Sequence, residues 1–173
     1  MTLKKKIISI ASAGVIALSF AGAAVPAFAA TSATISSKQA AIDSATKVVP
    51  SNAVLTEAKT DDAKFDLEYL IPDTLQRYSV LVDRETSKVK HVAVKSSNFP
   101  GSVTVSKTVD DVKATILAAY PDAKNIDVTI YEDASSGTPF KVYKAAFETP
   151  ELTGTALLNP ATALIGEQEL EYK

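Results

Sequence analysis

The sequence predicts an α+β protein of two tandem units, each with one N-terminal helix packed on an antiparallel sheet of about four strands. Two hydrophobic stripes with helical spacing end at Pro50 and Pro121, which lie 71 positions apart (121 − 50). Runs that alternate apolar and polar residues, typical of half-buried strands, follow each proline. A repeat of 71 residues is too long for a solenoid and favours two small domains. We place the units at residues 30–94 and 105–173, with a polar linker at 95–104.

Residues 1–29 have the pattern of a bacterial signal peptide. Three lysines, Lys4 to Lys6, precede an apolar run from Ile7 to Ala24, and Pro26 is followed by the small-x-small site Ala27 to Ala29. We predict cleavage after Ala29 and a protein that is secreted or associated with the cell envelope. A retained membrane anchor is the alternative, since the run approaches the roughly 20 apolar residues of a membrane span.

The composition excludes several kinds of site. The chain has no cysteine and a single histidine, His91, so thiolate chemistry and multi-histidine metal sites cannot be built within it. Removal of the three leader lysines leaves 18 − 3 = 15 basic residues against 20 acidic ones, a formal charge of −5. An acidic protein lacks the positive surface that nucleic acids or anionic lipids require. We therefore predict no metal, no cofactor and no nucleic-acid partner.

The first unit opens with a helix. Ser36 with Gln39 forms a possible capping box, and Ser37 is an alternative N-cap. The helix should end at Pro50, because a residue that precedes proline is pushed out of the α region. Its apolar stripe is Ala41, Ile42, Ala45, Val48 and Val49. Four strands are predicted after it, at Val54 to Lys59, Phe65 to Ile71, Tyr78 to Val82 and Val89 to Val94.

The second unit repeats this order. Thr108 and Asp111 form a capping box, and Pro121 ends the helix. Its stripe is Val109, Val112, Ile116, Ala119 and Tyr120. The strands predicted after it are Ile126 to Ile130, Phe140 to Phe147, Thr153 to Leu158 and Leu164 to Tyr172. Units of about 65 residues bury a limited core alone, so we expect the two to pack together, with Phe99 and Pro100 in or near the contact.

The pattern in both units resembles the PepSY domain. In the first unit the likeness is carried by Pro50, Phe65, Tyr69, Tyr78, Val80, Val82 and Asp83. In the second unit it is looser and is carried by Pro121, Phe140 and Asn159. The first unit has Ser87 where the family usually has a turn glycine, and the second has Ala163 there. The resemblance implies structural roles for these residues, no catalytic residues, and a link to peptidases, whose activity such domains are proposed to restrain.

Other candidate residues have a functional and a structural interpretation. His91 lies in a predicted strand without an evident nucleophile or orienting acid, so a solvated or edge-strand histidine is favoured over a general base. Glu167, Glu169 and Glu171 should share one strand face, as a solvated surface or a docking strip for a basic partner. The acidic pairs Asp61-Asp62 and Glu132-Asp133 are assigned to turns, without calcium-loop spacing. The six tyrosines are candidate interface anchors, or core residues whose ring is buried and whose hydroxyl group is solvated: Tyr69, Tyr78, Tyr120, Tyr131, Tyr143 and Tyr172.

These observations predict a secreted, non-enzymatic protein-binding module. The expected partner is a protein, an extracellular peptidase or another cell-wall enzyme, which the module would restrain or regulate. An added strand at a sheet edge is the available binding mode. The alternative is an envelope protein that contacts wall polymer and has no enzyme target. Hydrolysis by a close pair of buried carboxylates is a third, enzymatic hypothesis.

Overall fold

The computed structural model describes residues 37–134, 137 and 139–173. The predicted leader and Ser36 lie outside these residues. The described part contains two helices and eight strands: α1 (Lys38–Ala45), β1 (Val54–Thr60), β2 (Lys64–Ile71), β3 (Gln76–Asp83), β4 (Val89–Lys95), α2 (Val109–Ala119), β5 (Lys124–Asp133), β6 (Phe140–Glu148), β7 (Leu152–Leu158) and β8 (Ile165–Tyr172). All ten elements were predicted from the sequence, but α1 ends at Ala45 and not at Pro50, and β5 is longer than the predicted Ile126 to Ile130.

The first helix is shorter than its hydrophobic stripe. Ser37 is the N-cap, and its side chain accepts a hydrogen bond from the Ala40 backbone N–H at 3.2 Å. Regular helix ends at Ala45, and turns continue to Pro50, with the N–H groups of Val48 and Val49 both bonded to the Ala45 carbonyl. Val49 is nonetheless buried, so the apolar stripe faces the core beyond the end of the helix.

The second helix begins and ends as predicted. The Thr108 hydroxyl accepts from the Asp111 N–H at 3.2 Å, while the Asp111 carboxylate accepts from the Thr108 N–H at 2.8 Å, which completes the capping box. Tyr120 is the C-cap, directly before Pro121. Val112 and Ile116 are fully buried, whereas Val109 at the other end of the stripe is exposed.

The predicted fold class is wrong in its arrangement of the sheet. The strands form one antiparallel sheet of eight in the order β1-β2-β3-β4-β8-β7-β6-β5, and not two helix-on-sheet units. The two helices are short, with eight and eleven residues. They pack on the sheet at separate places, α1 against β2, β3 and β4, and α2 against β5 and β6. The molecule is therefore a sheet-dominated protein.

Pairing of β4 with β8 makes the sheet continuous. It joins a first half, strands β1 to β4 with α1, to a second half, strands β5 to β8 with α2. His91 lies opposite Glu171, and Lys95 lies opposite Glu167, so basic residues of one half face acidic residues of the other. Two separate four-stranded sheets would expose four strand edges, whereas the joined sheet exposes two. Alternation in the sequence shows which face of each strand is buried, but it does not show which strand lies beside it. For this reason the sequence predicted the strands and missed the joined sheet.

The core lies between the sheet and the helices. The buried side chains of β2 and β3 are large and include Phe65, Leu67, Tyr69, Tyr78, Val80 and Val82. Those of β6 and β7 mix large and small residues, with Tyr143, Phe147 and Leu158 beside Ala145 and Ala156. Gly154 belongs to this set, since a Cβ there would lie 2.4 Å from the Phe147 ring.

Two equivalent turns end β3 and β7. Asp83 accepts from the Thr86 N–H at 2.7 Å, and Ser87, with a φ of 55°, donates its N–H to the Asp83 carbonyl. Asn159 accepts from the Ala161 N–H at 2.9 Å, and Ala163, with a φ of 59°, donates to the Asn159 carbonyl. Ser87 and Ala163 occupy the positions at which the sequence resemblance led us to expect glycine, and both adopt the left-handed conformation that favours glycine.

The segment after β4 is held against the second half. The Asn159 side-chain amide donates to the carbonyls of Phe99 at 3.0 Å and Gly101 at 2.8 Å. Pro100 lies against Gly166 of β8, where an added Cβ would approach the proline ring to 2.9 Å. Phe99 is exposed and makes an edge contact with Phe140, with ring centroids 4.7 Å apart. Pro100 is thus close to the β4–β8 junction, as expected, while Phe99 lies at the surface.

Candidate binding surface

The face of the sheet opposite the helices is open and polar. Glu167, Glu169 and Glu171 share this face on β8, which confirms that they lie on one side of a strand. Residues opposite them on β7 are Leu157, Thr155 and Thr153. The three glutamates are therefore at the middle of the sheet, next to the junction between the halves.

Glu167, Glu169 and Glu171 form an acidic strip, and two residues of β4 contact it. His91 Nε2 lies 2.7 Å from Glu169 Oε2 and 3.7 Å from Glu171 Oε1, and Lys95 Nζ lies 3.9 Å from Glu167 Oε1. Because β4 is an interior strand, the edge-strand interpretation of His91 is wrong. No nucleophile in the described residues hydrogen-bonds to His91, and its Nε2 contacts two glutamate carboxylates of β8.

A shallow depression of about 460 Å³ lies on the open face of the second half. It is lined by Tyr131, Lys144, Thr155, Leu157 and residues 167–169. Burial raises the pKa of the Tyr131 hydroxyl, with smaller contributions from the negative charges of Asp133 and Glu167. The depression is open to solvent, and it lies between the acidic strip and the outermost strand, β5.

The two edges of the sheet differ. Strand β1 is interrupted by an irregularity in its pairing between Leu55 and Glu57. Lys38 of α1 donates a hydrogen bond to the Ala58 carbonyl at 3.2 Å, and Lys59 pairs with Glu57 at 3.0 Å. Short strands, bulges and lysines are the features by which proteins block an edge against a further strand. The β1 edge is therefore partly closed.

Strand β5 is longer and more regular. Its pairing with β6 is irregular only between Lys124 and Asp127, and the stretch from Asp127 to Asp133 pairs without interruption. In the described part of the chain no side chain hydrogen-bonds to the backbone of Asp127 to Glu132, and no strand lies on its outer side. Ile130 and Tyr131 are 45% and 40% exposed. From Asp127 to Glu132 this edge therefore presents backbone groups that no described residue pairs on the outer side, together with two large apolar side chains.

Of the two acidic pairs assigned to turns, the one at Asp61 lies in a turn and the one at Glu132 and Asp133 does not. The Asp61 carboxylate accepts from the N–H groups of Ala63 and Lys64, each at 2.8 Å, in the predicted turn. These bonds lower the pKa of Asp61. Glu132 and Asp133, however, belong to the end of β5 and not to a turn. Among the described residues no group of histidine, aspartate and glutamate side chains is arranged to hold a metal ion.

The tyrosines divide between core and surface. Tyr143 is buried and donates its hydroxyl to the Lys107 carbonyl at 2.9 Å, and the Tyr120 hydroxyl donates to Gln168 Oε1. Burial raises the pKa of Tyr120 to about 12. The Tyr69 hydroxyl is buried without a hydrogen-bond partner among the described residues. Tyr131 differs from these because its ring is at the surface, on the β5 edge.

The residues that carry the PepSY resemblance lie in the core and the turns. Phe65, Tyr69, Tyr78, Val80 and Val82 are buried, Asp83 and Asn159 organise the two equivalent turns, Pro50 and Pro121 follow the helical segments, and Phe140 begins β6. They are spread over the whole sheet and do not converge on one site. Sequence reasoning missed the β5 edge, because the alternation of Ile126 to Ile130 is also that of an interior strand.

No helix in the described part of the chain has the length and apolar character needed to cross a membrane. Comparison with known proteins found no matching family model, no similar curated protein and no similar solved structure.

Proposed function

We propose that the protein is a secreted, non-enzymatic module that docks onto a protein partner, an extracellular peptidase or another cell-wall enzyme, and restrains it. The observation that carries the docking part is the β5 edge, with its regular pairing from Asp127 to Asp133 and exposed Ile130 and Tyr131. The peptidase part rests on the sequence likeness to the PepSY domain in Tyr78 to Asp83, and secretion rests on the signal-peptide pattern of residues 1–29.

The β5 edge favours a protein partner for a physical reason. An edge strand exposes alternating N–H and C=O groups, and another polypeptide in extended conformation pairs with both sets. A wall polysaccharide has no repeating amide backbone to match this pattern. Apolar side chains next to the unpaired backbone add area that a pairing chain would bury. For this reason we prefer a protein partner to the alternative of a wall polymer.

Affinity capture tests this proposal. The tagged protein is incubated with culture fluid and wall extract from the producing organism, and captured proteins are identified by mass spectrometry. We expect enrichment of one secreted peptidase or wall hydrolase, whose activity then falls when the purified module is added. An equally tagged unrelated acidic protein serves as the control. Retention by wall material with no enriched protein would contradict the proposal and support the wall-polymer alternative.

A further inference from the structure

We propose that the β5 edge binds one class of partner segment: an extended chain with alternating β-branched residues and a lysine or arginine opposite Asp127. This inference rests on the proposed function and specifies the chemistry of the partner. The second copy of this chain and an acidic segment are the competing occupants. The backbone and the apolar side chains of β5 favour an added strand, and the charge of β5 favours a basic one.

The backbone of β5 is the more accessible of the two edges. On β1, the Lys38 side chain donates a hydrogen bond to the Ala58 carbonyl. On β5, no described side chain makes a hydrogen bond to the backbone of Asp127 to Glu132. The regular stretch of β5 from Asp127 to Asp133 has seven residues in register with β6. Typical strands have about five or six residues, so this stretch is long enough to pair with a full additional strand.

Apolar side chains lie on both faces of β5 at the same level. Ile130 is paired with Tyr143, whose ring is buried on the helix side, and Tyr131 is paired with Val142 on the other face. Because adjacent strand residues point to opposite faces, an incoming strand would cover Ile130 on one side and Tyr131 on the other. Cross-strand pairs between β-branched and aromatic side chains are favourable, so β-branched residues suit both positions.

Charge distinguishes a basic segment from the other occupants. The residue directly opposite Asp127 on β6 is Ala146, which carries no charge, whereas Glu132 lies opposite Lys141. Two copies that paired antiparallel through the stretch centred on Ile130 would place Asp127 opposite Asp133. Like charges directly opposite each other destabilise strand pairing, and opposite charges stabilise it. The position facing Asp127 therefore favours lysine or arginine.

The probe is a seven-residue peptide that alternates threonine with valine or isoleucine and carries lysine at both ends. A matched peptide carries glutamate at both ends. Binding is measured by NMR titration of the protein, with amide hydrogen exchange to locate the contact. We expect protection at β5 amides and tighter binding of the lysine peptide. N-methylation of alternate peptide amides in the register that faces β5 should abolish binding, because the donors are then removed.

Charge reversal at each edge provides the matched variants. Asp127→Lys should weaken the lysine peptide by about 3- to 10-fold and remove most of its advantage over the glutamate peptide, since cross-strand charge pairs contribute about 0.2–1 kcal/mol in either direction and the other end of each peptide still faces Asp133. Glu57→Lys makes the same change on β1 and should leave both affinities unaltered. Circular dichroism and thermal unfolding verify that both variants fold.

Several outcomes would overturn this inference: equal binding of both peptides, protection on β1, or a dimer in which β5 amides are protected without peptide. Repeating the affinity capture with Asp127→Lys separates the inference from the proposed function. If wild type and variant retain the same enzyme equally, the edge assignment is wrong and the docking function stands. If neither retains a protein, the docking function itself is wrong.

Discussion

The helices on the two halves of the sheet bury side chains of different size. In the first half α1 buries two alanines, Ala41 and Ala45, against strands with large side chains such as Leu67. In the second half α2 buries Val112 and Ile116, and β6 beneath it contributes the small residue Ala145. Core stability depends on the summed volume of facing side chains. Close packing is reached when either the helix or the sheet supplies the larger side chains. Equivalent positions in the two helices should therefore respond differently to substitution.

The largest expected effect is loss of volume in α2. Ile116→Ala should lower the free energy of unfolding by about 2–5 kcal/mol, because Ile116 is fully buried and its side chain leaves a cavity. In α1 the damaging change is the reverse one. Ala45→Val should cost about 1–3 kcal/mol through overpacking against the sheet. Urea denaturation at neutral pH measures both.

Leu117→Ala is the matched control for α2, since Leu117 neighbours Ile116 but is exposed. We expect this variant to stay within about 0.5 kcal/mol of wild type. If Ala45→Val stabilised the protein, α1 would not be closely packed on the sheet, and the contrast between the halves would fail.

The helix caps give an intermediate effect. Thr108→Ala should cost about 1 kcal/mol and Ser37→Ala less, because Thr108 belongs to a reciprocal capping box while Ser37 makes one cap bond. Hydrogen bonds from the Thr108 backbone and side chain lower the pKa of Asp111. The contribution of the Asp111 carboxylate to folding stability is therefore fully present above the ordinary pKa of 3.8. It is lost as the pH falls through the lower pKa that Asp111 has in the folded state.

Denaturation of wild type and Asp111→Asn at several pH values checks this sign. The stability difference between them should shrink below about pH 4. A difference that stayed constant down to pH 2 would show that the charge of Asp111 does not stabilise α2. Thermal melts of Ser37→Ala and Thr108→Ala then rank the two caps.

The smallest effect is a gain in stability at the turn after β3. Ser87 has a φ of 55°, a conformation that costs a residue with a Cβ about 1–2 kcal/mol. Ser87→Gly should stabilise the protein by about 0.5–1 kcal/mol, because relief of this strain exceeds the entropic cost of glycine. Lys88→Gly, at the next position, should instead destabilise it. A thermal melting temperature that fell for Ser87→Gly would show that strain at Ser87 is smaller than the entropic cost of glycine.

Local elements of this fold were predictable from local chemistry. The capping box of Thr108 and Asp111, the helix end before Pro121, and the eight alternating strands follow from hydrogen-bonding groups and side-chain periods within short segments. The binding surface was only partly predictable. The shared face of the three glutamates follows from a period of two residues, but the contact of His91 with Glu169 depends on residues 78 positions apart (169 − 91).

Sequence alone thus determined the order and type of the elements and most of the residues that turn inward, since burial patterns and caps are encoded within a few neighbouring residues, although α1 ends before Pro50 and β5 extends beyond Ile130. Tertiary structure decided which strands are neighbours. Pairing of β4 with β8 made one sheet of eight strands, placed His91 in an interior strand, and left β5 with Ile130 and Tyr131 at an open edge. Backbone hydrogen bonds between strands are the same for every sequence, so long-range packing and charge select the pairing.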